Sequence, residues 1–189
     1  MLALLIANLS LRSIVSLLGW GLGLTLASVA RADALRLDVG YGQGVELYAI
    51  ALQLDRSSPV HRYDIWTLTT HVDLGISDFE GQHSDSHDQS TRALSAVGKL
   101  RLQREAATAL RPFIELGLGL GGFSQTTIAG VRHLGGGFEF TEVLRSGVRF
   151  GQRGQFEVAL LGQHYSNAGL NRPNEGITYA GASIAWYFR

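Results

Sequence analysis

After residue 32, apolar residues fall at every second position through most of the chain. Leu35, Leu37, Val39 and Tyr41 alternate with Arg36, Asp38 and Gly40. Leu68, Val72, Leu74 and Ile76 alternate with Thr67, Thr69, His71, Asp73 and Gly75. The pattern recurs around 94–103, 114–121, 155–163 and 180–188, and segments near 45–54 and 138–150 bring the count to eight. Successive strand residues face opposite sides, so each segment is a strand with one apolar face and one polar or glycine face. The polar faces carry Arg36, Asp38, Asp73, Lys99, Arg101, Glu115 and Glu157, too much charge for the dry core of a soluble barrel. They suit the polar interior of a membrane barrel whose apolar wall meets lipid. Strands of roughly ten residues match a tilted membrane span. Aromatics near strand ends (Tyr41, Trp66, Phe113, Phe123, Trp186 and Phe188) suit interfacial girdles. The expected fold is all-β, an eight-stranded antiparallel transmembrane β-barrel.

The chain before this pattern reads as an export signal. Arg12 precedes an apolar stretch over 14–26, and Ala30 and Ala32 then form a small-x-small cleavage site. Residues 1–32 are the expected signal peptide and 33–189 the barrel, with the mature chain starting at Asp33. Without Arg12 and Arg31, the mature part holds 14 basic against 16 acidic residues, no surplus for non-specific nucleic-acid binding. The absence of cysteine excludes a disulfide scaffold, a thiol nucleophile and Cys-ligated zinc.

Connection lengths orient the barrel. Short ones near 55–60, 104–111 and 151–155 alternate with longer ones near 78–91, 123–137 and 166–176. Such barrels keep short turns in the periplasm and long loops outside, which leaves the tight connection around Gly42–Gly44 as an exception. Two motifs are decoys. Gly117, Gly119 and Gly122 satisfy G-x-G-x-x-G, but inside a strand with no helix to follow, so small inward residues on a crowded wall explain them. His83, Asp85, His87 and Asp88 lie in a Ser/Gln-rich loop and read as solvated polarity rather than a metal site.

Parity in the seventh strand sets Phe156, Val158, Leu160 and Gly162 toward lipid, and the same count puts His164 and Ser166 there. An imidazole and a hydroxyl at i and i+2 can approach as base and nucleophile. An isolated His-x-Ser reads first as interfacial polarity at a strand end. Its context is the run His-Tyr-Ser-Asn-Ala-Gly-Leu-Asn-Arg-Pro-Asn-Glu-Gly-Ile over 164–177.

That run resembles the lipid A 3-O-deacylase family of Gram-negative outer membranes, the PagL type. The likeness lies in His164, Tyr165, Ser166, Asn167, Ala168, Gly169, Leu170, Pro173, Asn174, Gly176 and Ile177, with Pro112–Gly117, Phe123 and Ser124 resembling the family's fifth strand. The resemblance implies an outer-membrane barrel with an active site on its outside wall, hydrolysing the 3-O-linked acyl chain of lipid A. It implies Ser166 as nucleophile and His164 as base. It also implies that the Asn167 side chain and the Gly169 N–H serve as oxyanion donors. No metal or organic cofactor is required by this chemistry.

One position departs from the family. Its catalytic Glu lies two residues after the counterpart of Gly176, where this chain has Thr178. Pairing Phe150 with Phe156 across the 151–155 turn sets Glu142 opposite His164 and Phe140 opposite Ser166. Glu142 is therefore the expected acid, with Glu175 in the bordering loop as the alternative.

With that resemblance, the expected function is an outer-membrane esterase acting on lipid A by a Ser/His mechanism. Its partners are lipopolysaccharide as substrate and the outer membrane; nucleic acid is not one, and a homodimer is left open. The alternative is a non-catalytic structural or adhesive eight-stranded barrel. An acyltransferase would differ by placing the fatty acid on an acceptor rather than freeing it.

Overall fold

The structure is a computed structural model describing residues 32–55, 59–81, 91–105, 109–128 and 132–188. The expected signal peptide up to Arg31, and the His83/His87 loop, lie outside the described residues. The strands are β1 (Ala34–Gly42), β2 (Val45–Asp55), β3 (His61–Tyr63), β4 (Trp66–Gly81), β5 (Thr91–Arg104), β6 (Leu110–Phe123), β7 (Thr127–Ile128), β8 (Arg132–His133), β9 (Phe138–Phe150), β10 (Phe156–Ser166) and β11 (Ile177–Tyr187). Eight of these are long. Each pairs antiparallel with its neighbours in the order β2-β1-β11-β10-β9-β6-β5-β4, and β2 pairs with β4 to close the ring. Closure removes the free sheet edges that a membrane interior would penalise.

The wall follows parity. Leu94, Leu116, Leu118, Leu160 and Ile184 are exposed, with Leu118 at 72% and Leu160 at 71%. The alternate residues are buried inside. An exposed apolar wall around a polar interior is the arrangement that lipid requires. At the short-turn end, Phe150 packs on Phe156 and Trp186 on Phe188, with ring centroids 5.8 and 5.7 Å apart. Phe113 and Phe123, expected in the girdles, are instead buried inside the barrel. Their positions near strand ends suggested lipid contact, but each has inward parity.

The interior has two halves. Toward the short turns lies a charge network. Glu115 meets Lys99 at 3.0 Å, Arg101 at 2.6 Å and Arg145 at 2.9 Å. Glu157 meets Arg101 at 2.8 Å and Arg145 at 2.6 Å. Arg36 pairs with Asp38 and Asp73, and Lys99 also reaches Asp73. Within this network four cations face four carboxylates, so its charges balance.

Toward the long loops the interior is an aromatic and aliphatic plug of Phe79, Phe123, Tyr165, Tyr179, Leu47 and Ile177. Tyr165 stands edge-on to Phe123 at 5.2 Å and to Phe79 at 5.9 Å. Its phenol also accepts the Gln163 amide N–H at 2.7 Å. These contacts lock the inward residue between His164 and Ser166.

The G-x-G-x-x-G glycines lie in β6 with no helix. A Cβ on Gly119 would stand 2.3 Å from the Ala96 carbonyl oxygen, and one on Gly117 would stand 2.9 Å from Val97. Close packing of the wall requires glycine at these two positions, whereas a Cβ on Gly122 would meet nothing within 4 Å.

Candidate active site

The site is built on the end of β10 nearest the long loops. Tyr165 is buried inside, while His164 and Ser166 stand half-buried on the opposite, lipid-facing side. On β9, Phe156 pairs with Phe150, Val158 with Val148, His164 with Glu142 and Ser166 with Phe140. That register is the one expected from the short 151–155 turn. On the other flank, His164 pairs with Thr178 and Tyr165 with Ile177. One step toward the barrel middle, the wall continues as Leu144, Gly162, Ala180 and Tyr41, all small or apolar except for the Tyr41 hydroxyl.

Thr178 makes the contact that the sequence assigned to a carboxylate. Its Oγ1 lies 2.8 Å from His164 Nδ1. Glu142 faces the same imidazole from β9 but forms no hydrogen bond with it. The expected opposition of Glu142 and His164 is present in the register, but in this structure the hydrogen bond to the imidazole comes from Thr178. Glu175 points elsewhere. Its Oε2 accepts the His133 N–H at 2.7 Å and its own N–H donates to the His133 carbonyl at 3.2 Å. It ties the 167–176 loop to the neighbouring loop and does not reach His164.

The expected oxyanion donors are also engaged. Asn167 is buried, and its Nδ2 donates to the carbonyls of Leu134 at 2.6 Å and Asn171 at 3.1 Å. Its Oδ1 accepts the Gly169 N–H at 2.9 Å. Asn167 thus organises the loop, supported by a reverse turn in which the Leu170 N–H meets the Asn167 carbonyl at 3.1 Å. Asn174 differs. Its Oδ1 accepts the Asn167 N–H at 3.1 Å, while its amide nitrogen has no partner among the described residues. It is a donor anchored one residue from Ser166. Asn174 belongs to the 164–177 motif, but its place in the sequence alone gives it no role.

Gly176 closes the site. Its φ is +57°, and a Cβ there would fall 2.9 Å from the Tyr165 carbonyl oxygen and 3.2 Å from His164 Cε1. Only glycine adopts this conformation and leaves that room without strain. No hydrogen bond joins Ser166 to His164 here, a looseness common in active sites before substrate tightens them.

A model of the lipid A 3-O-deacylase (PagL) family matches residues 43–187. The chain belongs to the PagL family. It is 30% identical over 152 residues to Lipid A deacylase PagL of Pseudomonas aeruginosa, spanning 80% of this chain and 84% of that protein. Its fold is similar to the crystal structure of the outer membrane enzyme PagL, with a TM-score of 0.72 and 27% identity over 81% of this chain and 98% of that one. Neisserial surface protein A gives a TM-score of 0.48 at 8% identity over 82% of this chain and 96% of its own. Within this PagL-family chain, the matched region includes all of β10, the 167–176 loop and β11.

Proposed function

We propose that this protein is an outer-membrane esterase that hydrolyses the 3-O-linked acyl chain of lipid A, with Ser166 as nucleophile and His164 as general base. The observation that carries the reading is the position of these two side chains. Both lie on the lipid-facing wall at the long-loop end, just above an apolar wall of Leu144, Gly162 and Ala180. Lipopolysaccharide meets such a site laterally, and its acyl chains stay in the bilayer while the ester linkage stands at the rim. Membership of the PagL family supports the same substrate.

The reaction follows the serine-esterase course. His164 Nε2 takes the Ser166 proton as Oγ attacks the ester carbonyl carbon. The tetrahedral intermediate collapses, breaking the bond to the 3-oxygen of the sugar, and that oxygen leaves with the proton held on Nε2. Water, deprotonated by the same nitrogen, then attacks the acyl-enzyme and releases a free fatty acid. The oxyanion is met by the Asn174 amide, with a backbone N–H of the 167–170 turn as second donor once substrate opens it. Asn167 acts by shaping that turn.

An alkyl fluorophosphonate tests the nucleophile directly. The purified barrel should take up one label on Ser166, and His164→Ala should slow labelling by about 10³ or more. Equal labelling of Ser166→Ala would place the nucleophile elsewhere.

A further inference from the structure

The geometry points to Thr178 as the positioning residue for His164, a neutral hydroxyl holding the imidazole that serves Ser166. The inference rests on the Ser/His reading above and adds its third member. The Thr178 Oγ1 to His164 Nδ1 distance of 2.8 Å is that of a well-formed hydrogen bond. With Nδ1–H donating to Oγ1, the neutral ring has its lone pair on Nε2, the form a general base needs. The hydroxyl keeps its own proton and takes no part in proton transfer.

Thr178 is itself fixed by the β1–β2 hairpin. Its N–H donates to Gln43 Oε1 at 3.0 Å, in the β1–β2 hairpin. Beside it, β1 approaches so closely that a Cβ on Gly42 would lie 1.9 Å from the Thr178 carbonyl oxygen. On the other side, Gly176 lies against His164 Cε1. The ring is therefore confined between Gly176 and a threonine whose backbone cannot drift. Thr178 is exposed on the outer wall, on the same side as His164. Its hydroxyl is not repairing a buried defect.

A hydroxyl orients the ring without countering the charge of the imidazolium. The contribution of Thr178 to turnover should accordingly be that of one neutral hydrogen bond, about tenfold in kcat.

The test uses the full-length protein purified as a folded barrel, with ¹⁵N-labelled histidine and His164→Gln to assign the resonance. Heat-dependent gel mobility confirms that each variant is folded. The wild type and Thr178→Ser should show His164 as the Nδ1–H tautomer. Thr178→Val, which has the same shape without the hydroxyl, should lose that preference and lower kcat about tenfold with KM nearly unchanged. An Nε2–H tautomer in the wild type, or the same tautomer population in the wild type and Thr178→Val, overturns the proposal whatever kcat does. If the tautomer depends on Thr178 but no 3-O-acyl chain is released by the wild type, the functional reading falls and the positioning role stands.

Discussion

The His164 imidazole is hydrogen-bonded through Nδ1 to the Thr178 hydroxyl on β11, while Glu142 faces the ring from β9 without a hydrogen bond to it. The two flanks of β10 thus divide what a single carboxylate does in a Ser-His-Asp triad. One supplies direction and the other, at most, a charge that is not hydrogen-bonded to the ring, in the high-dielectric rim of the membrane.

Glu142→Gln should therefore leave kcat on lipid A within about threefold of wild type. The measurement is steady-state release of fatty acid in mixed micelles. A fall of about 10³ would give the role of acid to Glu142, since loss of a triad carboxylate costs that much.

Thr178→Glu should raise kcat by on the order of tenfold or more, because a carboxylate at this position both orients the ring and stabilises its charged form. Kinetics on the refolded variant decide the point. A lower kcat in a folded barrel would mean that the site is built around the hydroxyl and rejects the longer side chain.

Gly176→Ala should abolish most turnover while leaving the barrel folded. The added Cβ would force the backbone from its φ of +57° or push the Tyr165 carbonyl and His164 aside. Catalysis is sensitive to such small displacements. Activity close to wild type would show that the loop yields easily and that its packing on His164 does not matter.

Glu115→Ala should destabilise the barrel by about 3–5 kcal/mol, because Lys99, Arg101 and Arg145 lose their shared carboxylate and the network keeps one uncompensated buried positive charge. Urea unfolding in detergent measures the loss. A change below about 1 kcal/mol would indicate that water or side-chain rearrangement replaces the carboxylate.

The barrel was legible because the strand period of two fixes which residues face lipid, and because charge on the inward face reveals the solvent outside. The β9–β10 register was legible for a related reason: a short turn leaves Phe150 and Phe156 little choice of pairing. The β10–β11 register was not, since the 167–176 loop is long enough to allow several. Thr178 could therefore be seen as the missing carboxylate but not as the partner opposite His164. Loop hydrogen bonds obey no parity, so the Asn167–Gly169 bond has no signal in the strand pattern, and only the family resemblance gives these two residues a role. For Phe113 and Phe123 the inward facing of their strand positions outweighs their place near a strand end.

The most direct test is mass spectrometry of lipid A from Gram-negative cells expressing the wild-type protein or Ser166→Ala, with equal amounts of folded barrel in the outer membrane. The wild type should yield lipid A lacking the 3-O-linked acyl chain together with the free fatty acid, and Ser166→Ala should yield intact lipid A. Intact lipid A from both, or the same deacylated product from both, would contradict the account.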